Sequence, residues 1–355
     1  VVIVPSRDVF LSATRLQLPR AQILVVPGGG ATPGGGHDRE GAELMRCDLH
    51  VHSWFSGRAE VPVLEHVGRE CYSDPFEVYE RAVRRGMDLV TLTDHDTIEG
   101  ALRLAHLPNV FVSEEVTVLL DGGRRQLHVN VFGIDERQHQ AIQARRRDAE
   151  SLFAWLAEQR VPAAVNHLFS ALTGERTLAD LRLPLGRLPL VEALNGAMPE
   201  AHNEQARLVG REAGMAPVGG SDAHSLAHVA RAFTTVPGAR SREEFLAGLR
   251  TGLTVPVGRS GSYARLTTEV ARIFAAGYAE TWRALRSRAF SPSRAAASLV
   301  MAPFLPLIPL FTLGVYAHER RFGARHFRAF QESFGWPALP SERPLPGVVS
   351  LEEAA

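Results

Sequence analysis

The feature that most constrains this chain is a set of six short polar clusters, each placed in or beside an apolar run. They are DLHVH at 48–52, TDHD at 93–96, SEE at 113–115, LHVN at 127–130, NH at 166–167 and GSDAH at 220–224. One His-x-His pair alone is weak, since 14 histidines in 355 residues produce roughly half such a pair by chance. The conjunction is far more specific. His50 and His52 stand two apart on an extended segment, so their side chains share one face. Asp222 and His224 repeat that spacing with mixed ligands. A fold that serves all six clusters must gather several strand ends around one hollow.

The stretches between the clusters supply the elements for this. CDLHVH alternates as a strand does. DPFEVYERAVRRG reads as a helix with Asp74 as cap, Pro75 at the first position and Glu77 three residues after the cap. Phe76, Tyr79 and Val83 repeat at helical spacing, and Gly86 ends the helix. MDLVTLT follows as a short strand. Further strands are expected at 110–112, 115–120, 126–132, 162–166, 190–195, 217–220 and 232–236, and helices at 138–159, 200–212 and 241–251. Strands separated by helices imply parallel pairing, with a local hairpin at Asp121-Gly122-Gly123. The pattern predicts an α/β fold, a barrel or strongly curved sheet, with its chemistry on the loops after the strand ends.

Four regions are expected. Residues 1–46 hold two apolar runs broken by GGGATPGGG and read as a flexible extension. Residues 47–260 form the main domain, 261–330 an arm and 331–355 a tail. In the arm, 265–290 reads as an arginine-rich amphipathic helix, and 295–317 has no charged residue over 23 positions. Pro303, Pro306 and Pro309 interrupt any simple spanning helix there. Between 261 and 330 ten arginines face three glutamates. That excess suits an anionic membrane surface. The competing readings are an apolar arm packed on the main domain or on another subunit, and a true span.

Composition removes several classes. Every basic residue is arginine, so lysine nucleophiles and lysine Schiff bases are excluded. With 39 basic and 39 acidic residues, a general electrostatic hold on nucleic acid is disfavoured, leaving nucleic acid only as a short or terminal substrate. Cys47 and Cys71 make no disulfide framework or C-x-x-C pair, and the first residues lack a signal-peptide layout. A reducing, cytoplasmic location is expected, peripheral to the membrane if the arm touches it. Neither GxxxxGK nor G-x-G-x-x-G after a strand occurs, which removes support for phosphate-loop and dinucleotide chemistry.

Imidazole and carboxylate together suit manganese, zinc or iron better than calcium. Several anionic ligands in one hollow would repel one another without cations. The candidate metal ligands are His50, His52, His95, Glu115, His128, His167, Asp222 and His224. Glu115 is preferred to Glu114, because neighbours on a strand face opposite ways and Glu115 alternates with Thr117. Asp48 and Asp94 suit the task of orienting imidazoles through their second nitrogen. Asp94 and Arg58 are the candidates for a part in catalysis, Arg58 as a grip on phosphate. Asp96, Glu192, Asn195 and Asn203 are candidates for the rim or for bracing loops.

Taken in order, these motifs resemble the polymerase and histidinol phosphatase (PHP) family over about residues 47–236. The resemblance implies a distorted seven-stranded (β/α) barrel, up to three metals and hydrolysis of phosphate esters. It carries the His-x-His ligands onto His50 and His52, the TDHD histidine onto His95, the bridging glutamate onto Glu115, and the remaining ligands onto His128, His167, Asp222 and His224. One departure is material. The family places an Asp or His ligand in an SDG-like turn, whereas this chain has Ser56-Gly57 and then the insertion RAEVPVLEHVGRECY. Asp74, His66, Glu65 and Glu70 are the candidate replacements, and capping already occupies Asp74. The expected activity is hydrolysis of a phosphate ester, of a nucleotide or another small metabolite, by metal-activated water with two to three divalent ions. The alternatives are an amidohydrolase, which a carboxylated lysine would favour, and a noncatalytic metal-bearing scaffold recruited to a membrane or partner.

Overall fold

The computed structural model describes residues 44–57, 68–172, 174, 176–285, 299 and 302–334. The candidates Arg58, Glu65 and His66 lie outside these residues, as do most of the expected N-terminal extension and the tail from 335 onward. The described residues all fall within one compact unit.

Among the described residues, eight strands form two sheets. A five-stranded sheet runs in the order β2 (Ser113–Leu120), β3 (Arg125–Phe132), β4 (Ala163–Val165), β5 (Leu190–Asn195) and β6 (Ala216–Gly220). Its first two pairings are antiparallel and its last two parallel. β1 (Leu44–Cys47), β7 (Ala232–Pro237) and β8 (Val255–Gly258) make a second, antiparallel sheet. β1 therefore begins inside the stretch read from sequence as extension.

The mixed α/β architecture agrees with the sequence pattern, but the described strands do not form a closed seven-stranded (β/α) barrel. The segments CDLHVH and MDLVTLT, expected as strands, contribute only β1 and single bridges, Val51 with Ala223, Cys47 with Leu89 and Val90 with Val110. The cause is local competition for backbone donors. Val51 N donates to Thr93 Oγ1 at 3.0 Å, His50 N to Asp48 Oδ1 at 3.3 Å and Ser53 N to Asp94 Oδ1 at 2.6 Å. Side chains there take bonds that a regular ladder would use.

Helices α1 (Pro75–Arg84), α2 (Glu99–Leu104), α3 (Glu136–Arg145), α4 (Ala149–Glu158), α5 (Leu178–Arg182), α6 (Glu200–Glu212) and α7 (Arg242–Thr251) surround the sheets. Asp74 caps α1 by accepting from Phe76 N at 2.8 Å, with Pro75 first in the helix. Its buried stripe is Pro75, Val78 and Ala82, so Phe76 and Val83 face outward, contrary to the expected stripe. The helix expected over 138–159 is two: Asp135 closes a capping box with Gln138, and Asp148 starts α4 by accepting from Ser151 N. The main core lies between the five-stranded sheet and these helices, with Val116, Val118, Val129 and Val131 against Leu152, Phe153 and Leu156. Each such side chain contributes about 1.5–3 kcal/mol by leaving water.

The arm holds α8 (Tyr263–Leu285), a 3-10 segment (Ala302–Leu307) and α9 (Ile308–Phe334). α9 packs on α8, α6 and α5. Phe327 and Phe330 join the main core and meet Phe169 edge-on. The carboxylate of Glu319 accepts from Ala171 N at 2.9 Å, and His202 Nε2 donates to Glu319 O at 2.9 Å. Among the described residues, no helix is long and apolar enough to cross a membrane.

Candidate metal centre

Period-two alternation on β2 sends its two adjacent glutamates opposite ways. Glu114 meets His139 Nδ1 and Gln143 Nε2 of α3, each at 2.9 Å. Glu115 faces the hollow. Its Oε2 lies 3.2 Å from His50 Nε2 and 3.4 Å from both His52 Nε2 and His95 Nδ1. Its Oε1 lies 3.2 Å from His128 Nδ1 and 3.3 Å from His167 Nε2. Asn166 Nδ2 donates to the same oxygen at 2.7 Å and fixes the carboxylate plane.

The two His/Asp pairs meet because their segments touch. Val51 bridges Ala223, His52 N donates to Ala223 O at 3.1 Å and Asp222 N donates to His50 O. Contact this close requires glycine at 220, where a Cβ would fall 2.6 Å from His50 N. Asp222 Oδ1 then lies 3.5 Å from His50 Nε2, 3.4 Å from His52 Nε2 and 3.7 Å from His224 Nδ1. Asp222 and His167 hold φ of 49° and 28°, uncommon for side chains larger than glycine. Such strain costs about 1–3 kcal/mol and persists only where neighbours impose it. Here Asn195 Nδ2 holds Asp222 Oδ2 at 3.0 Å, and Glu192 Oε2 accepts from His167 N at 2.9 Å.

Buried partners set the imidazole tautomers. His50 Nδ1 donates to Glu192 Oε1 at 2.7 Å, leaving Nε2 for the hollow. His52 Nδ1 bonds Ser56 Oγ at 3.0 Å, and Ser56 Oγ in turn donates to Asp94 Oδ1 at 2.8 Å. Burial, aided by the positive field of His224, pushes His52 down to about 3, so it is neutral near pH 7 with its Nε2 lone pair turned inward. Burial alone would lower His50 too, yet Asp222, Glu115 and Glu192 hold it well above its ordinary value. Burial would raise Glu115, but His50, His95 and His128 keep it well below the usual carboxylate range.

These residues fit divalent ions. His167 Nδ1 is buried without a hydrogen-bond partner among the described residues, a cost of about 1–3 kcal/mol unless something accepts its lone pair, and His52 Nε2 and His224 Nε2 are buried against carboxylate oxygens at 3.3–3.4 Å. His52 stacks between His95 and His224 at 4.8 and 4.4 Å. Four overlapping groups can each close on one ion: His50/His52/Asp222, His50/Glu115/His167, His95/Glu115/His128 and His52/His95/His224.

Other sequence candidates fall elsewhere. Asp94 does not face the hollow: Ser53 N, Ser53 Oγ and Ser56 Oγ occupy its oxygens, so it anchors the 53–56 turn and reaches His52 only through Ser56. Asp48 orients no imidazole. It accepts from Ser221 N and Ala230 N at 2.8 and 2.7 Å, tying strand ends together, and burial raises it to about 6. Asp74 is spent on its cap. Glu70, one of the candidate replacements, lies beside the hollow, with Oε2 3.4 Å from His95 Nε2 and Oε1 3.3 Å from His224 Nε2. Asp96 braces β2 through Thr117 N, and Asn203 holds the backbone of Asn195.

Two contributors from the arm escaped the sequence reading. Glu269 of α8 accepts from His224 N at 2.8 Å and Ser225 Oγ at 2.7 Å, and pairs with His228 Nδ1. Arg265 Nη2 donates to Ser221 O at 2.8 Å. Only the helical phase of 265 and 269, one turn apart, could have marked them as sharing a face.

Residues 200–254 match the family described as PHP-associated, PHP_C. The match runs from the start of α6 to the residue before β8 and is a likeness over that stretch alone. An uncharacterized protein of Methanocaldococcus jannaschii is 31% identical over 72 residues, 20% of this chain and 41% of that protein. The chain thus spans less than half the length of this curated relative. Among solved structures, PsfC from Pseudomonas syringae shares 17% identity with a TM-score of 0.40, covering 57% of this chain and 88% of that one. A candidate metal-dependent phosphoesterase from Bifidobacterium adolescentis shares 16% with a TM-score of 0.35, covering 50% and 87%. An amidohydrolase from Chromobacterium violaceum, holding sulfate and no metal, shares 18% with a TM-score of 0.39, covering 57% and 96%.

Proposed function

We propose that this chain hydrolyses a phosphate ester, a phosphomonoester of a nucleotide or another small metabolite, using two to three manganese, zinc or iron ions. The observation that carries the reading is Glu115, a buried carboxylate with three imidazole nitrogens around one oxygen and two around the other. A carboxylate so placed suits bridging two cations. His50, His52, His167 and Asp222 would hold one side of the cluster and His95, His128 and His224 the other. Glu70 would complete the side left short by the Ser56-Gly57 turn.

Bound ions would lower the pKa of water from about 15.7 to about 7 and offset the charge of the phosphate. The chain's own residues do the positioning. His50 Nδ1 bonds Glu192 and His52 Nδ1 bonds Ser56, so the Nε2 of both rings faces inward, and a cation bound there would displace the Nε2 proton that the surrounding carboxylates hold on His50. Asn166 and Asn195 fix Glu115 and Asp222. Metal-activated water is the nucleophile in this reading, so activity depends on metal loading.

The absence of lysine removes the carboxylated-lysine ligand that would favour a carbon–nitrogen hydrolase. The test is phosphate release by the manganese-loaded protein from a panel of phosphomonoesters and short phosphodiesters, with metal content measured on the same sample. Metal-dependent release that vanishes in Asp222→Asn/His224→Ala is the expected result. Bound metal with no turnover on any phosphate ester would overturn phosphoesterase activity and favour the scaffold or another hydrolase. A protein that binds no metal would sink the mechanism.

A further inference from the structure

The arm's outer surface has a use that the metal centre does not. α9 is two-faced along its whole length. Ile308, Thr312, Glu319, Phe322, Phe327 and Phe330 turn inward and are buried. Its N-terminal end is joined to α8, with Tyr263 Oη donating to Pro309 O at 2.8 Å and Thr267 Oγ1 2.8 Å from Thr312 Oγ1. The opposite stripe runs through Leu307, Leu310 and Phe311, then through Arg321, Arg325 and Arg328, all exposed. Thus one outward stripe is apolar at its first end and basic at its second.

The apolar end is unusually bare. Leu310 is 68% exposed, Phe311 51% and Leu307 50%. Large aliphatic and aromatic side chains gathered on one face at helical spacing usually mark a surface that meets something apolar. The charge beside them narrows what that is. Glu319 is buried at Ala171 N, Glu269 holds the 224–228 loop and Glu280 lies 3.9 Å from Arg69, while the exposed Glu332 offsets one of the three outward arginines and leaves the stripe basic. Two copies of this stripe paired in parallel would set arginines beside arginines, whereas an anionic surface complements both ends of the stripe at once. Leu310 and Arg321 are about 16 Å apart along the axis at 1.5 Å per residue. A tilted α9 could therefore seat its leucines about 5–10 Å into the headgroup–acyl boundary while its arginines stay among the headgroups.

We infer that the α9 stripe docks this protein on an anionic lipid surface, without spanning it, through Leu307, Leu310 and Phe311 with Arg321, Arg325 and Arg328 as the electrostatic hold. Binding of this kind is independent of the metal reading, because none of these side chains belongs to the cluster.

The test is flotation of the full chain with phosphatidylglycerol vesicles and, separately, with phosphatidylcholine vesicles, at low and high salt. Partitioning is expected onto the anionic vesicles, at least about tenfold above the neutral ones, and weaker as salt rises. Leu310→Ser/Phe311→Ser should lower it at least about tenfold. Arg321→Glu/Arg325→Glu leaves the apolar face intact and should also lower it, while flattening the salt dependence. Both changes lie on exposed positions, and the circular dichroism spectrum checks that each variant is folded. Failure of the wild-type chain to float with anionic vesicles would overturn the inference, and so would binding unchanged in both folded variants. A lipid-free dimer in light scattering that Leu310→Ser/Phe311→Ser converts to monomer would assign the face to a second copy instead.

Discussion

At the scale of single residues, the arrangement turns on side chains that touch no candidate ion site directly. Ser56 is the clearest case. It lies between Asp94 and His52, so its hydroxyl both receives the imidazole proton and is itself held by a buried carboxylate. Removing the hydroxyl frees the ring to rotate and to change tautomer. Ser56→Ala is expected to lower metal affinity or turnover about 10–100-fold, as loss of an outer partner of a metal-bound histidine generally does. Isothermal titration with manganese, paired with the phosphate-release assay, would measure it; unchanged affinity and rate would show that His52 is oriented by packing alone. The His-x-His and Asp-x-His spacing was legible in the sequence because strand geometry forces it. Glu70 was legible only as one of several acids near the inserted segment, since spacing along an irregular stretch says nothing of where its side chain ends.

At the scale of elements, α6 and α9 are joined by a buried polar contact that makes the junction sensitive to acid. His202 lies on α6, is buried, and gives its one proton to the backbone of Glu319. Burial pushes its pKa down to about 4. A histidine lowered in the folded state contributes stability in full above its unfolded value of about 6.5, and that contribution is lost as pH falls from about 6.5 to 4. The shift of about 2.5 units corresponds to about 3 kcal/mol at most. Burial raises the pKa of Glu319, which works in the opposite sense, so the histidine is best isolated by difference. The unfolding free energy of the wild type minus that of His202→Gln should fall by up to about 3 kcal/mol between pH 7 and 4, read from urea titrations. A pH-independent difference would show that His202 titrates normally. Helix caps such as Asp74 could be found in the sequence because they act within one turn. The division at 146–148 was hidden because the apolar pattern continues through it.

At the scale of the whole molecule, strand ends, loops and arm share one hollow lined by groups that repel or lack partners until cations arrive. Ions that bind the folded state alone should stabilise it, by about 2.7 kcal/mol at one hundred times the dissociation constant. Chelation is therefore expected to lower Tm by several degrees and manganese to restore it, as measured by scanning calorimetry; a Tm indifferent to both would mean that the cluster holds no ion. The sequence by itself determined which imidazoles and carboxylates are candidates for the hollow, their pairing on extended segments, most strands of the larger sheet and the capped start of α1. All of these follow from chemistry acting over a few residues. Tertiary structure alone decided that Glu70 joins His95 and His224, that Asp94 anchors a turn, that Glu269 holds the loop of His224 and that α9 completes the core. Each of these joins residues far apart in the chain, Glu319 and Ala171 being separated by 148 positions. No local period or cap records such a meeting, because it depends on how already formed elements pack.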